Sequence, residues 1–221
     1  MTNNKANQIL RILQNSFSLP QWANRRPREP FQTLIITVLS QATVDKNTAR
    51  AYENLSKRFP ITPKALAEAN VEEIEEAIRV AGLYRNKSKT IKQISRIVLE
   101  QFKGSLDFIH SMPFEEARKT FLSIPGVGPK TADVVLLFCA RKPTLPVDTH
   151  VNRVSKRLGL APLMADYEDV RQSLQSVYQP QDYLSAHLLL ISLGRNFCKA
   201  RKPLCKPCPV NTLCPSKQTE D

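Results

Sequence analysis

Four cysteines crowd one short stretch near the end of the chain. Cys198, Cys205, Cys208 and Cys214 follow the spacing C-x6-C-x2-C-x5-C. Four thiolates within 17 residues suit either a zinc ion or an iron–sulfur cluster. A disulfide framework is the other use of such a set, and it needs an oxidising compartment. Residues 1–5 carry no apolar run of the signal-peptide kind, so the default compartment is intracellular and reducing. Zinc ribbons usually show two C-x2-C pairs, and here only Cys205 and Cys208 form one. The uneven spacing leans towards a cluster wrapped by one continuous loop, with zinc still open. The fifth cysteine, Cys139, lies in an apolar run and reads as a core thiol.

The metal-tied loop is also basic. Residues 195–206 carry Arg195, Lys199, Arg201, Lys202 and Lys206 and no acid. Residues 85–96 repeat the pattern with Arg85, Lys87, Lys89, Lys92 and Arg96, while Glu68, Glu72, Glu73, Glu75 and Glu76 gather elsewhere. Over the whole chain 32 Lys and Arg face 20 Asp and Glu, a net charge of +12. Such an excess, segregated along the sequence, favours a polyanionic partner, and nucleic acid is the reading we adopt. The plainer alternative is a solvated surface. No run of 18 apolar residues is present, so no membrane span is expected.

At 221 residues the chain can bury a core without staples. Apolar periodicity predicts helices over 4–17, 29–41, 43–59, 62–69, 71–80, 85–102, 113–123, 129–141, 149–158, 166–178 and 182–197. Thr62-Pro63 and Met112-Pro113 put proline at a first helical position. Asn70 and Glu73 have capping-box spacing. Gly82, Gly104 and Gly159 stand where helices would stop. Residues 34–39 and 134–138 are short β-branched runs that propensity alone reads as strands. No hairpin or crossover pattern accompanies them, so buried helices are expected. From about Ser216 the chain reads as a frayed tail.

Leu122-Ser123-Ile124-Pro125-Gly126-Val127-Gly128-Pro129-Lys130-Thr131 separates two helical stretches. Pro125 and the glycines enforce a tight turn, Gly126 and Gly128 can take φ > 0, and Pro129 opens the second helix. Free N–H groups of the turn and the helix N-terminus form an anion site suited to a DNA phosphate. The pattern is a helix-hairpin-helix signature. Lys130 falls in the first turn of the second helix. The positive helix end and a basic surface are expected to lower its pKa from about 10.4 and make it a nucleophile. Further on comes Val147-Asp148-Thr149-His150-Val151. Asp148 or Thr149 caps the next helix, and Asp148 is also the carboxylate suited to take a proton from Lys130 and to stabilise charge on a sugar. His150 and His187 read as structural.

Together these residues resemble the endonuclease III family of helix-hairpin-helix DNA glycosylases. The resemblance runs from about Arg28 to Pro215. It is carried by Leu39-Ser40-Gln41-Ala42-Thr43, Gly82-Leu83-Tyr84, the Pro125 to Thr131 block, the Asp148 block and the four cysteines. It implies an all-α fold of two helical lobes. One is a six-helix barrel with the hairpin, over 22–134, and the other joins 1–21 to 135–221 and the cluster loop. It implies one [4Fe-4S] cluster on Cys198, Cys205, Cys208 and Cys214. It gives Lys130 and Asp148 the catalytic roles and sets Gln41 and Leu83 where side chains fill the gap left by a flipped base. The Leu-Ser-Gln block is one residue shorter than the family's commoner form, and Pro129 stands where a basic residue is frequent.

The implied activity is base excision repair. A bifunctional glycosylase and AP lyase extrudes and removes a damaged, oxidised pyrimidine and nicks the strand by β-elimination. Gly126, Val127, Gly128, Lys199, Arg201, Lys202 and Lys206 are the expected DNA contacts. Leu83 is read equally as a wedge or as a core leucine. A monomer acting on double-stranded DNA with damaged bases or abasic sites is expected, in a prokaryotic cytoplasm at the nucleoid. Competing readings are a mismatch glycosylase for uracil or thymine opposite guanine, an adenine glycosylase, or a non-catalytic lesion-binding iron–sulfur protein. Lys130 and Asp148 favour the enzyme.

Overall fold

The computed structural model describes residues 2–20, 23 and 29–217, all-helical apart from turns, with no strand among them. Most of the tail expected past Ser216 lies outside the described residues, as does position 22, where the first lobe boundary was expected. The chain divides into two compact units, Met1–Arg26 with Pro143–Asp221, and Pro27–Lys142. This second division follows the helix that the expected boundary at 134/135 would cut.

The unit Pro27–Lys142 holds α2 (Pro30–Leu39), α3 (Asp45–Arg58), α4 (Pro63–Glu68), α5 (Val71–Ile78), α6 (Tyr84–Gln101), α7 (Phe108–Ser111), α8 (Phe114–Leu122) and α9 (Pro129–Ala140). The two β-branched runs are helices, as expected. In α2, Glu29 caps the first turn by accepting from the amides of Phe31 and Gln32, and Pro30 stands at the first helical position. Leu34, Ile35, Val38 and Leu39 are then buried against α9, whose Ala132, Val135, Leu136 and Cys139 are also fully buried. Burial on nearly every face outweighs β propensity there. Helix α6 packs on α4 and α5 through Ile91, Ile94 and Val98.

The other unit holds α1 (Thr2–Ser16), α10 (Thr149–Leu158), α11 (Tyr167–Val177) and α12 (Tyr183–Asn196). Helix α12 lies against α10 and α1. Ile9, Leu13, Val154, Leu174, Leu189 and Leu190 form its dry interior. His187 is buried and its Nδ1 donates to the Pro146 carbonyl at 2.8 Å, the structural role expected.

Three local expectations are corrected. The short α7 and the 3-10 turns at 79–81, 180–182 and 211–213 were not foreseen, being too short to show a period. Pro113 is the cap residue of α8, one place before its first turn. Asn70 caps α5 through the Glu72 amide alone, and the reciprocal capping box instead joins Asp166 and Asp169 at α11. Gly82, Gly104 and Gly159 all take positive φ at helix ends, as predicted.

Candidate functional site

In the unit Pro27–Lys142 the hairpin is formed by α8, a turn over 123–128 and α9. Ile124 and Val127 are buried, and the Val127 amide donates to the Ile124 carbonyl at 3.0 Å. Val127 thus anchors the turn from within, and both its side chain and its amide are committed there. Ser123, Pro125, Gly126 and Gly128 of the turn are exposed, as is Pro129. Gly126 has φ +87, and a Cβ there would stand 2.6 Å from Thr90 Cγ2. Gly128 has φ −89, so the left-handed conformation allowed for it at the sequence level is not used. It caps α9, and a Cβ would meet nothing within 4 Å. The outer face of the turn is open backbone ending on a helix N-terminus, an arrangement that attracts anions.

Lys130 is half-buried, the second residue of α9. One turn on, Asp133 is fully buried and accepts two hydrogen bonds from Arg118 of α8, at 2.8 and 3.2 Å. The ion pair ties the two hairpin helices together beside the lysine. Sequence reading missed it because the partners are fifteen residues apart and each looks like an ordinary surface charge.

Two further turns of this unit carry exposed side chains. Gln41 is exposed on the turn after α2, followed by Ala42 with φ 50. Leu83 is 61% exposed and itself left-handed, φ 48, at the start of α6. That exposure removes the core reading of Leu83. Among the basic residues of 85–96, Lys89, Lys92 and Arg96 line an open hollow with Asn70, Val71 and Gln93, and Lys92 also bonds the Ala69 carbonyl. Lys87 fits neither reading of this run, the DNA-facing one nor the solvated one. It is buried, and its Nζ donates to the carbonyls of Leu39 at 2.8 Å and Ala81 at 2.9 Å.

In the other unit Asp148 is half-buried at the N-terminus of α10. Its Oδ1 accepts from the Val151 amide at 2.7 Å, while no described group donates to Oδ2. One carboxylate oxygen thus caps α10. Lys130 and Asp148 belong to different units.

Helix α10 also holds the cysteine loop. Arg153 donates to the carbonyls of Cys198 (2.9 Å) and Gly194 (3.1 Å), and its guanidinium meets His150 Nδ1 at 3.1 Å. Arg157 donates to the carbonyls of Lys199 and Ala200 at 2.7 and 3.1 Å and lies 3.5 Å from Cys198 Sγ. Cys198, Cys205, Cys208 and Cys214 line one cavity of about 40 Å³ walled by Leu193, Phe197, Leu204 and Val210. Burial pushes the Cys208 and Cys214 thiols up; a backbone hydrogen bond opposes this at each, and the neighbouring thiols reinforce it. Four cysteine side chains lining one cavity are a donor set of the kind that suits a metal group. Among the described residues no three His, Cys, Asp or Glu side chains form a ready site for a single metal ion. Lys199, Arg201, Lys202 and Lys206 are all exposed on this loop.

Residues 35–180 match the HhH-GPD superfamily of base excision DNA repair proteins. Endonuclease III of Sulfolobus acidocaldarius is 34% identical over 95% of this chain and 95% of its own. That of Thermotoga maritima is 36% identical over 86% of this chain and 85% of its own. The chain belongs to the endonuclease III family. It is therefore a base excision DNA repair enzyme, a glycosylase and lyase of the helix-hairpin-helix class. The structure of a trapped endonuclease III–DNA covalent intermediate is similar to it with a TM-score of 0.85 and 31% identity, over 98% of this chain and 97% of that one. The all-α fold expected from the family's motifs is thereby established. No described helix of this family member is long and apolar enough to cross a membrane.

Proposed function

We propose that the protein removes oxidised pyrimidines from duplex DNA and cuts the strand at the abasic sugar, with Lys130 as the nucleophile. The observation that carries this is the position of Lys130, one residue into α9 and directly behind the open glycine turn. A phosphate held by that turn brings the sugar backbone to the start of the same helix. The likeness to a trapped covalent endonuclease III–DNA intermediate supports a covalent step.

The lone pair of Lys130 Nζ bonds to the anomeric carbon as the carbon–base bond breaks, and the base departs with the electrons of the broken bond and takes a proton from water. Asp148 takes the proton that the lysine loses and stabilises positive charge on the sugar. The sugar ring then opens: the C1′–O4′ bond breaks as the nitrogen's electron pair forms the iminium. O4′ takes the proton held by Asp148, and the iminium acidifies the neighbouring C2′ position. Loss of that proton expels the 3′ phosphate, and water then frees the lysine. Gln41 and Leu83 occupy the space of the extruded base. Gly126 and Gly128, with Val127 shaping the turn, and the exposed Lys199, Arg201, Lys202 and Lys206 hold phosphates on double-stranded DNA.

Cys198, Cys205, Cys208 and Cys214 hold one [4Fe-4S] cluster, which when bound supplies a rigid tie for the basic loop. In this reading the unit Pro27–Lys142 is the barrel lobe and the other is the cluster lobe. The protein works as a monomer in a prokaryotic cytoplasm, on the nucleoid.

Borohydride added during turnover tests the proposal. It should leave a protein–DNA adduct that maps to Lys130. Lys130→Gln should abolish adduct and nicking while DNA binding stays nearly intact. Asp148→Asn should slow base removal by ~10²–10³-fold. Base removal by the wild type without any adduct would instead mean that water activated by Asp148 is the nucleophile. Duplexes each carrying one oxidised pyrimidine, or uracil or thymine opposite guanine, test the substrate class.

A further inference from the structure

Lys87 is a buried cation of α6, and its ammonium is held by backbone carbonyls. It donates to two of them, Leu39 at 2.8 Å and Ala81 at 2.9 Å. Burial lowers its pKa, so the charged form is held at a cost. Lysines commonly bury the stem and leave the head in water. Two features explain why this one is retained inside. Both acceptors lie at the last turn of a helical segment, α2 and the 3-10 turn Arg79–Ala81, where carbonyl dipoles point outward and favour a cation.

The second feature is the turn beyond each acceptor. Two residues after Leu39 comes the exposed Gln41, with left-handed Ala42 next in the chain. Two residues after Ala81 comes the exposed, left-handed Leu83, after Gly82 with φ +65. Left-handed backbone is strained for a non-glycine residue. Such conformations persist only where the surroundings hold them. One ammonium grips the carbonyl that leads into each turn.

We infer that Lys87 is a positioning residue that locks the Gln41 and Leu83 turns to each other. The two side chains then enter the DNA as one preset pair rather than as two independent loops. The inference rests on the proposed function, in which those side chains fill the space of the extruded base. Pre-organisation of this kind acts on duplex substrates, where a base must leave the stack, and has little to add on a flexible single strand.

Lys87→Met keeps the stem and removes both hydrogen bonds, and Lys87→Gln keeps an N–H donor on a shorter stem without the charge. Single-turnover excision from a lesion-bearing duplex is compared with cleavage of a single-stranded abasic oligonucleotide. With Lys87→Met the duplex rate should fall about tenfold more than the single-strand rate, with Lys87→Gln intermediate. Amide hydrogen exchange should rise together over 40–44 and 81–86. Adding Leu83→Ala to Lys87→Met should cost less than its effect in the wild type, since the wedge is already misplaced. Equal loss on both substrates, or a full further loss from Leu83→Ala, overturns the inference. If Lys87→Met does not fold, Lys87→Gln carries the same comparison. If Gln41→Ala and Leu83→Ala in the wild type spare duplex excision, it is the assignment of those side chains to DNA that fails, and the exchange data still report on the lock.

Discussion

Arg118 and Asp133 form a bidentate ion pair, 2.8 and 3.2 Å, that joins the two hairpin helices one turn beyond Lys130. Asp133 is wholly buried, so the pair is a tie between α8 and α9 rather than a surface contact. Arg118→Met leaves a buried carboxylate without its guanidinium and should cost about 3–5 kcal/mol in urea unfolding. Arg118→Met with Asp133→Leu should recover most of that loss. If the single variant costs under about 1 kcal/mol, the pair does not hold the hairpin.

Gly126 is constrained twice, by φ +87 and by Thr90 Cγ2 at 2.6 Å from where a Cβ would be. Gly126→Ala should therefore destabilise the fold by about 1–3 kcal/mol and weaken DNA affinity. Thr90→Ala in that background should return the steric share and leave the backbone share. Gly128, with open space around its Cα, should tolerate alanine in the free protein yet lose affinity if a phosphate approaches that face.

Leu83→Ala should leave the thermal midpoint almost unchanged, since an exposed side chain contributes within about 0.5 kcal/mol. Excision from duplex DNA should slow, while cleavage of a preformed abasic site is spared. Equal losses on both substrates would remove Leu83 from the extrusion step.

Lys202 is exposed on the cysteine loop. If it neutralises one phosphate, Lys202→Ala should flatten log affinity against log salt by about 0.9 and weaken binding alike on every sequence. A changed sequence preference would speak against a phosphate contact.

Purified protein should be yellow-brown and hold about four irons per chain, as four thiolates on one cubane cluster require. Stoichiometric zinc without iron in anaerobically prepared protein would overturn this. Cys205→Ala should damage folding or DNA affinity, because the loop it ties is gripped by Arg153 and Arg157 of α10.

Much of the fold and of the candidate site was legible in the chain alone. Helices α2 and α9 were recoverable despite their β-branched runs, because no hairpin or crossover pattern accompanied those runs. The glycine turn, Lys130 and the cysteine spacing are local patterns, and local patterns survive in one dimension. Leu83 was not decidable. An isolated leucine after a glycine packs inward or points outward according to neighbours from α2 and α6, and only burial tells which.

The sequence by itself determined the longer helices, the family and the chemistry-bearing residue types, because periodicity and ligand spacing act over a few residues. The tertiary structure decided what long-range contact decides. It turned Lys87 from one charge of a basic stripe into a buried clamp on Leu39 and Ala81, 48 and 6 residues away. It paired Arg118 with Asp133 and seated Val127 inside its turn. Those outcomes depend on which helices meet. A buried charge is retained only where packing supplies carbonyls or a counter-ion within hydrogen-bond reach.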